Sequence, residues 1–441
     1  PRPDPCVVDG ERPLAPKYYF VSDLHMGGDG QLQLCDYAPE FVAFLKELAN
    51  ESPDTELLIA GDTFGFWELT LVQGVAKITH IIEAHQGIFD QLKATGARIK
   101  ITMLVGNHDY DLACDPGFAV ELRKYNIHLD TNIALIRTMG DKKIWIEHGQ
   151  QHDNFNAFPE YGDPYALPVG YFITRTFVSG ASRHSDFGHG NWLKDIRSVD
   201  TMQIPDWIWS NYFYREMSMV FRWLLVPFLL LFGLELLALG GEALRLLGIF
   251  DYNVLFHNPV MERLGIVNNM LQVVVTINSF FLLVIGVPML LVLRDLRKTL
   301  HRFRLHTDQG AGPDLSDAPY RSAALDVFAK DDKVAVFIFG HTHGAFLEPL
   351  GPKGQIVINT GTWLKLLQRS PARIGYFPAV YVPSFRLNYF KIQQVGKQME
   401  ITYVEVAKKP ERELTWLQKL VTFGKSAKPH AAIPAKTLID L

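Results

Sequence analysis

A chain of 441 residues is too long for one minimal domain, so we expect one large domain with an insertion, or two domains. Its 43 basic and 47 acidic residues give a formal net charge of −4, and this near balance argues against nucleic acid as the main partner. Three cysteines without a C-x-x-C spacing exclude a disulfide framework and favour a reducing compartment. The proline-rich, charged opening PRPDPCVVDGERPLAPK lacks the pattern of a signal peptide, so we predict none.

Apolar strand-like runs alternate with helix-like patterns on both sides of a long interruption. Before the interruption, the predicted elements are strand 18–22, helix 39–51, strand 56–62, helical region 74–95, strand 98–109 and strand 143–149. After it, the predicted strands are 333–344, 355–363, 385–392 and 397–406. From residue 408 we expect a peripheral helix and a loose end. The alternation predicts an α/β fold with a layered sheet.

The interruption is unusually apolar. From Leu264 to Leu293 there is no charged residue or histidine, and Trp223 to Gly241 is apolar except for Glu235. Because a helix needs about 20 apolar residues to cross a bilayer, we predict an inserted, membrane-embedded helical hairpin. The alternative is a helical hairpin buried inside a large soluble protein. The predicted domains are 1–210 and 306–407 for the two parts of the main domain, 211–305 for the hairpin and 408–441 for the tail.

Charge placement around the hairpin predicts its orientation. The loop between the two apolar stretches has only Arg245 and Arg263 as basic residues. The flanks are richer in basic residues, with Arg215, Arg222, Arg294, Arg297, Lys298, Arg302 and Arg304. By the positive-inside rule, we expect a cell inner membrane location with the main domain facing the cytoplasm. Polar positions in the hairpin need partners in lipid, so we also expect self-association, most simply a homodimer.

Polar side chains follow five of the predicted strands, at the point where each strand ends. In chain order these blocks are Asp23-x-His25, Gly61-Asp62, Gly106-Asn107-His108-Asp109, His148-Gly149 and Gly340-His341-Thr342-His343. Ligands bind just beyond the carboxyl ends of the strands in an open α/β sheet, so we expect these blocks to converge on one rim. One block alone would be weak evidence, whereas five in this order predict a single site.

The residue types of these blocks indicate a metal centre. Oxygen and imidazole ligands without thiolate suit Mn²⁺, Fe or Zn²⁺. The blocks contain more ligands than one ion takes, which suits two ions that share a carboxylate. Paired ions about 3.5–4 Å apart clamp an in-line displacement at phosphorus, and they make hydroxide available at neutral pH. The sequence therefore predicts a two-metal phosphoesterase.

The same blocks resemble those of the calcineurin-like metallophosphoesterase family. The resemblance covers residues 18–149 and 333–363 and implies a fold of two packed sheets flanked by helices. It implies that the first ion is bound by Asp23, His25 and His343. It implies that the second ion is bound by Asn107, His148 and His341, and that Asp62 bridges the two ions. Two divalent ions per chain are thus expected, Mn first, with Fe or Zn as alternatives.

The resemblance also assigns the catalytic group. His108 is not a ligand in the family, and it would lie against the substrate phosphate, where it stabilises the transition state or protonates the leaving oxygen. Asp109 is placed in the sequence to orient His108, as a carboxylate commonly orients an imidazole. The alternative for Asp109 is a turn-forming aspartate.

A shorter motif resembles one branch of the family. GDTFGFW is similar to the G-D-x-F-x-x-W of bacterial UDP-2,3-diacylglucosamine pyrophosphatases, which would imply a lipid-linked diphosphate as substrate. This chain departs from that branch at His108, where those enzymes have Arg, and at Gly65, where they have Asp.

Two further segments contain candidate substrate-binding residues. His152 and Asp153 lie in HGQQHDNFN (148–156), and Arg183 lies in SRHSDFGHGNW (182–192), where it could grip a phosphate. For HGQQHDNFN the alternative is a polar loop that caps a helix. For Arg183 the alternative is that it and the neighbouring histidine are a solvated pair on the surface.

Together these patterns predict a membrane-anchored two-metal hydrolase of a phospholipid or a lipid-linked nucleotide. Its partners would be the lipid bilayer and the lipid substrate. One alternative is a tethered hydrolase of a soluble phosphodiester or nucleotide. The other is a non-catalytic membrane scaffold, which the complete set of ligand positions disfavours.

Overall fold

The structure of the chain is a computed structural model. It describes residues 16–180, 193, 195–199, 203–222, 262–281, 317–373, 377–408, 414–424 and 429–441, with scattered residues between 233 and 295. The chain divides into two compact units: unit 1 comprises Pro1–Asn211 and Ser316–Leu441, and unit 2 comprises Tyr212–Leu315. The domain boundaries expected from the sequence remain predictions.

Fourteen strands in the described residues form three sheets in unit 1. The strands are β1 (Lys17–Val21), β2 (Thr55–Ile59), β3 (Lys100–Leu104), β4 (Ile127–Asp130), β5 (Ala134–Met139), β6 (Lys142–Glu147), β7 (Val334–Phe339), β8 (Phe346–Pro349), β9 (Ile356–Asn359), β10 (Leu366–Ser370), β11 (Val380–Ser384), β12 (Leu387–Val395), β13 (Gln398–Val406) and β14 (Lys436–Asp440). A seven-stranded sheet has the order β14-β13-β12-β1-β2-β3-β4, and a five-stranded sheet has the order β5-β6-β7-β9-β8. Strands β10 and β11 pair separately.

Ten α-helices are named in the described part of the chain. They are α1 (Ala38–Leu48), α2 (Ala76–Ala84), α3 (Gln86–Gly96), α4 (Asp111–Cys114), α5 (Gly117–Arg123), α6 (Val169–Ile173), α7 (Ile204–Asn211), α8 (Ile266–Phe281), α9 (Ala318–Lys330) and α10 (Trp416–Val421). Short π-helical segments cover Thr174–Val178 and Tyr212–Glu216.

The two large sheets are layered with helices on their outer faces. Because alternate residues of a strand point to opposite faces, Tyr18 and Phe20 of β1 belong to a core shared by both sheets. Tyr19 and Val21 belong to a second core, which contains the apolar residues of α1, α3 and α5. Helix α9 packs on the other face of the five-stranded sheet. The predicted α/β fold of two sheets flanked by helices is confirmed.

Parallel pairing directs five strand ends toward the same edge of the layers. Strands β1, β2 and β3 are adjacent and parallel, with Tyr19 opposite Leu57 and Leu57 opposite Ile101. In the other sheet β6 and β7 are parallel as well. These are the five strands that the polar blocks follow.

The structure confirms one sequence-based expectation about secondary structure and corrects another. The region 74–95 is helical as predicted, in two helices, because the chain leaves the helical conformation at His85, which has φ −124°. The tail from residue 408 does not end loosely: β14 pairs antiparallel with β13, with Thr437 opposite Ile401, and so forms the edge of the seven-stranded sheet.

Unit 2 contains α8, whose apolar side chains are largely exposed; Ile266 is 78% exposed. Within the residues that the structure describes, no helix is both long enough and apolar enough to cross a membrane. Most of Trp223–Gly241 lies outside the described residues, and so does part of Leu264–Leu293. The helical hairpin expected there therefore stays a prediction.

Candidate metal centre

The predicted metal ligands stand directly after the carboxyl ends of their strands. Asp23 and His25 follow β1, Asp62 follows β2, and Asn107 follows β3. In the second sheet, His148 directly follows β6, and His341 and His343 follow β7. The structure brings all seven side chains into overlapping groups at one rim, as the sequence predicted.

Three glycines that precede ligands leave space for the ligand side chains. A Cβ atom on Gly106 would lie 2.2 Å from Asp62 Oδ1, and one on Gly340 would lie 2.6 Å from Asp23 Oδ2. A Cβ atom on Gly61 would lie 2.5 Å from Nδ1 of His148. The glycine in each block therefore lets the backbone of one loop approach the ligand of another.

Five of the ligands have left-handed backbone conformations, which are costly for residues other than glycine. Their φ angles are 54° for Asp23, 46° for His25, 50° for Asp62, 67° for His341 and 61° for His343. Each such residue costs on the order of 1–3 kcal/mol and persists only where the surroundings hold it. The folded chain thus holds the ligands in a fixed arrangement at the expense of stability, as functional sites commonly do.

Asp23, His25 and His343 form the first group. Nε2 of His25 and Nε2 of His343 lie 3.2 Å apart, and Asp23 Oδ1 lies 3.7 Å and 3.2 Å from them. The other oxygen of Asp23 accepts hydrogen bonds from Ser22 Oγ and from the His341 amide. Oδ1 is buried and has no hydrogen-bond partner among the residues that the structure describes. The position of Oδ1 beside two imidazole nitrogens fits a bound cation.

Asp62, Asn107, His148 and His341 form the second group. Asn107 Oδ1 lies 3.1 Å from Nε2 of His148 and 2.9 Å from Nδ1 of His341. The far nitrogen of each imidazole contacts an acceptor: the Ala60 carbonyl lies 2.8 Å from His148 Nδ1, and Asp153 Oδ2 lies 3.0 Å from His341 Nε2. Such contacts fix which ring nitrogen is free to bind a metal.

Asp62 lies between the two groups. Its Oδ2 atom is 3.6 Å from Nε2 of His25 and 3.2 Å from Nε2 of His148. Its Oδ1 atom accepts a hydrogen bond of 2.7 Å from the His108 amide. One carboxylate oxygen thus faces a nitrogen from each group, which is the geometry that a bridging ligand requires.

The charges of the cluster favour ionised carboxylates. Burial alone would raise the pKa of Asp62, but the imidazoles of His148 and His108 hold it well below its usual value. Burial would lower the pKa of His148, but the Asp62 carboxylate raises it to about 10. Burial lowers the pKa of His25 and of His341. Because imidazole binds a metal only when neutral, metal binding here would release protons, and affinity is expected to fall in acid.

His108 is beside the centre and has its own partners. A ring nitrogen of His108 lies within 4.8 Å of ligand atoms of His25 and Asp62. Its Nδ1 atom lies 2.9 Å from Glu68 Oε1, and its ring packs against Trp67 with centroids 4.5 Å apart. Burial would lower its pKa, but the carboxylates of Glu68 and Asp62 raise it to about 9.

The expectation that Asp109 orients His108 is corrected by the structure. Asp109 is fully buried, and its carboxylate accepts hydrogen bonds from the amides of Gly106, Thr63 and Phe64 at 2.7–3.2 Å. The carboxylate beside the His108 ring belongs to Glu68. Asp109 therefore joins the loops after β2 and β3.

Asp109→Ala is expected to lower the free energy of unfolding by about 3 kcal/mol or more, because each buried amide left without an acceptor costs about 1–3 kcal/mol. Urea unfolding of the metal-free protein would measure the change. Asp115→Ala is the matched control, since Asp115 is exposed and, among the contacts described, its carboxylate accepts a hydrogen bond from the Gly117 amide alone. Equal losses in the two variants would contradict the assigned role.

The predicted substrate-binding residues have different surroundings. Asp153 contacts His341 and accepts from the Phe155 amide, which are the contacts of a carboxylate that positions a ligand. Nε2 of His152 lies 2.7 Å from Glu147 Oε1. Arg183 lies outside the described residues. Substrate contacts of these residues stay predictions.

Sequence reasoning missed two residues that shape the centre. Glu68 directly follows the GDTFGFW motif, and that adjacency was the available signal. Arg197 donates hydrogen bonds to the carbonyls of His25, Gly27 and Leu34 at 2.8–3.2 Å and so fixes the loop after β1. No local pattern around Arg197 indicated this contact.

One comparison with known proteins, a family model, agrees with the geometry. Residues 16–225 match the family model of calcineurin-like phosphoesterases. Among solved structures, the chain is similar to a conserved uncharacterized protein, a predicted phosphoesterase, from Streptococcus pneumoniae. That similarity has 9% identity and a TM-score of 0.26 over 97% of this chain and 98% of the other, and at this TM-score it says nothing about the fold. No curated protein matches the chain.

The layered fold, the ligand groups and the family match together define the class of protein. Residues 16–225 are a calcineurin-like phosphoesterase domain, and the chain is a metal-dependent phosphoester hydrolase.

Proposed function

We propose that the chain hydrolyses a phosphodiester or pyrophosphate bond of a phospholipid or a lipid-linked nucleotide, using two divalent ions. The observation that carries the chemistry is the position of Asp62, whose one oxygen faces His25 at 3.6 Å and His148 at 3.2 Å. Each nitrogen belongs to a separate group of ligands. A hydrolase that needs two ions sharing one carboxylate would have this arrangement.

The residues present have definite tasks in such a reaction. Ions bound by the two groups would neutralise the charge that builds on the phosphoryl oxygens and would lower the pKa of a water molecule. Asp153 and the Ala60 carbonyl hold His341 and His148 in the required orientation. His108 is placed to donate a proton to the leaving oxygen. Mn is the proposed metal because the ligands are imidazole and oxygen without thiolate, and Fe or Zn would be bound by the same set.

A surface beside the centre supports a lipid substrate. Tyr165, Val169, Phe172 and Phe177, which we call the apolar rim, are exposed; the exposed fraction is 90% for Tyr165 and 65% for Phe177. The sequence between Asp163 and Asp186 has no acidic residue. Aromatic side chains and the absence of carboxylates favour contact with an anionic lipid surface.

The apolar rim is connected to the catalytic region. Tyr171, in the same segment, packs edge-on against Trp67 with ring centroids 5.8 Å apart, and Trp67 packs against His108.

In unit 2, the exposed apolar side chains of α8 and the uncharged run Leu264–Leu293 support a membrane contact of their own. The proposed location is thus the inner membrane, with the metal centre facing the cytoplasm, and the proposed assembly is a homodimer.

The double variant Phe172→Ser/Phe177→Ser tests the lipid substrate. We expect its hydrolysis of a phospholipid in anionic vesicles to fall by about tenfold or more, since each removed aromatic side chain forfeits roughly 1.5–3 kcal/mol of apolar burial. Its hydrolysis of a small soluble phosphodiester should not change, because neither side chain is a metal ligand.

The control is Val395→Ser/Leu438→Ser, a pair of apolar residues that are 50% and 54% exposed. Val395 pairs with Gln398 near the start of β1, away from the carboxyl ends of the strands. If both double variants hydrolyse vesicle lipid at the parent rate, the apolar rim is not used for a lipid and the soluble-substrate alternative is favoured.

A further inference from the structure

Glu68 is a buried carboxylate that lies outside the three groups of candidate metal ligands found among the described residues. It is 2% exposed, and its two oxygens lie 2.9 Å and 3.1 Å from Nδ1 of His108. A buried carboxylate without a close polar partner is costly, so its position against one imidazole indicates a specific pairing.

Two glycines leave space for the side chain of Glu68. A Cβ atom on Gly65 would lie 3.2 Å from Glu68 Oε2 and 2.9 Å from the Gly27 carbonyl. A Cβ atom on Gly28 would lie 3.2 Å from Glu68 Cβ. Any larger residue at position 65 would therefore push against the carboxylate that contacts His108.

The backbone of Glu68 is also held on two sides. Its carbonyl accepts a hydrogen bond of 2.9 Å from the Asp29 amide and one of 3.3 Å from Ser179 Oγ. The neighbouring Trp67 packs against the ring of His108. One short segment thus provides both the packing surface and the acceptor for the same imidazole.

We propose that Glu68 is the positioning residue of His108. Its carboxylate accepts a hydrogen bond from the Nδ1–H group of His108, which leaves Nε2 as the atom that gives a proton to the substrate. As a water oxygen forms a bond to phosphorus, the bond between phosphorus and the leaving oxygen breaks. The electron pair of the broken bond stays on the leaving oxygen, which takes the Nε2 proton, and the proton lost by the attacking water passes to solvent. The ring is left neutral with its Nδ1 proton on the Glu68 side, and solvent returns the proton to Nε2. This inference rests on the proposed phosphoester hydrolysis.

The leaving group decides how much this proton transfer matters. A 4-nitrophenyl phosphodiester has a leaving group that needs no proton, whereas an alkyl phosphodiester does. Glu68→Gln is expected to lower kcat for the alkyl ester by about 10–100-fold, the usual effect of losing a partner that orients an imidazole. KM, the metal content and the rate with the nitrophenyl ester should stay within about threefold, since substrate and metal contacts are retained.

Glu56→Gln is the matched control, because Glu56 is a buried carboxylate that pairs with Arg137 at the other end of β2. It should leave both rates unchanged. If Glu68→Gln lowers both rates equally, or if metal is lost, Glu68 is a structural residue or a ligand and the inference fails. If the parent protein with its metals bound hydrolyses neither ester, the proposed function itself fails.

A second measurement does not depend on the folding of the variant. The ¹⁵N chemical shifts of His108 in the zinc-loaded parent protein should show a proton on Nδ1. A spectrum with the proton on Nε2 alone would overturn the inference even if the kinetics agreed.

Discussion

Asp62→Ala is expected to remove both metal ions and to lower phosphoester hydrolysis by at least about 10³-fold, because metal ions supply several kcal/mol of charge stabilisation in such reactions. The reason is geometric: Asp62 Oδ2 lies within 3.6 Å of one nitrogen from each ligand group. Loss of any other ligand removes a contact from one group, whereas loss of Asp62 removes a contact from both. Elemental analysis of protein purified without chelator would measure the occupancy.

The control for this variant comes from the same strand. Glu56 is buried at the start of β2 and pairs with Arg137, so Glu56→Ala removes a buried carboxylate without touching the centre. It should keep both ions and the parent kcat even if its stability falls. An Asp62→Ala protein that keeps one tightly bound ion and near-normal activity would show that the carboxylate does not bridge.

His108→Ala is expected to keep both ions and to lower kcat by about 10²–10⁴-fold, the usual contribution of a positioned acid or base. The ring of His108 contacts Glu68 through Nδ1, which leaves the other nitrogen for the substrate. Steady-state kinetics together with metal analysis would separate chemistry from binding.

His128→Ala is the matched control, since His128 is exposed on β4. It should leave kcat and metal content unchanged. His108 also lies close enough to His25 and Asp62 to form a ligand group with them. If metal occupancy collapses in His108→Ala, His108 is a ligand and its assignment as the acid is wrong.

The architecture around the centre could be predicted because it depends on strands whose residues are mostly buried. Each of β1, β2, β3 and β7 contains a run of apolar residues, and each is followed within three residues by a polar block. Parallel strands then place their carboxyl ends at one edge, so the convergence follows from topology.

The missed strands are short or lie at the edges of sheets. Strand β8 has four residues, none of them buried, so it lacks the alternation on which sequence reading depends. Strand β14 alternates only between partial and full exposure, and it is stabilised by pairing with β13, more than 30 residues earlier. Pairing over such a distance leaves no local signal.

In the candidate site, too, contacts between distant segments could not be predicted from the sequence. Ligand identity could be predicted from residue type and strand context, but the direction of a side chain in a turn could not. Asp109 is adjacent to His108 in sequence, yet its carboxylate turns back to the Gly106 amide. Glu68 reaches the imidazole from a different loop. Contacts that depend on how two loops pack have no signal in the local sequence and are seen only in the structure.

The central claim is that one shared carboxylate holds two ions whose presence is required for hydrolysis. The most direct test is a titration of chelator-treated protein with Mn²⁺ in which bound metal and phosphodiesterase activity are measured together. We predict two equivalents of bound metal per chain, with full activity only when the second site is filled. Full activity at one equivalent, or activity that survives complete removal of metal, would contradict the account.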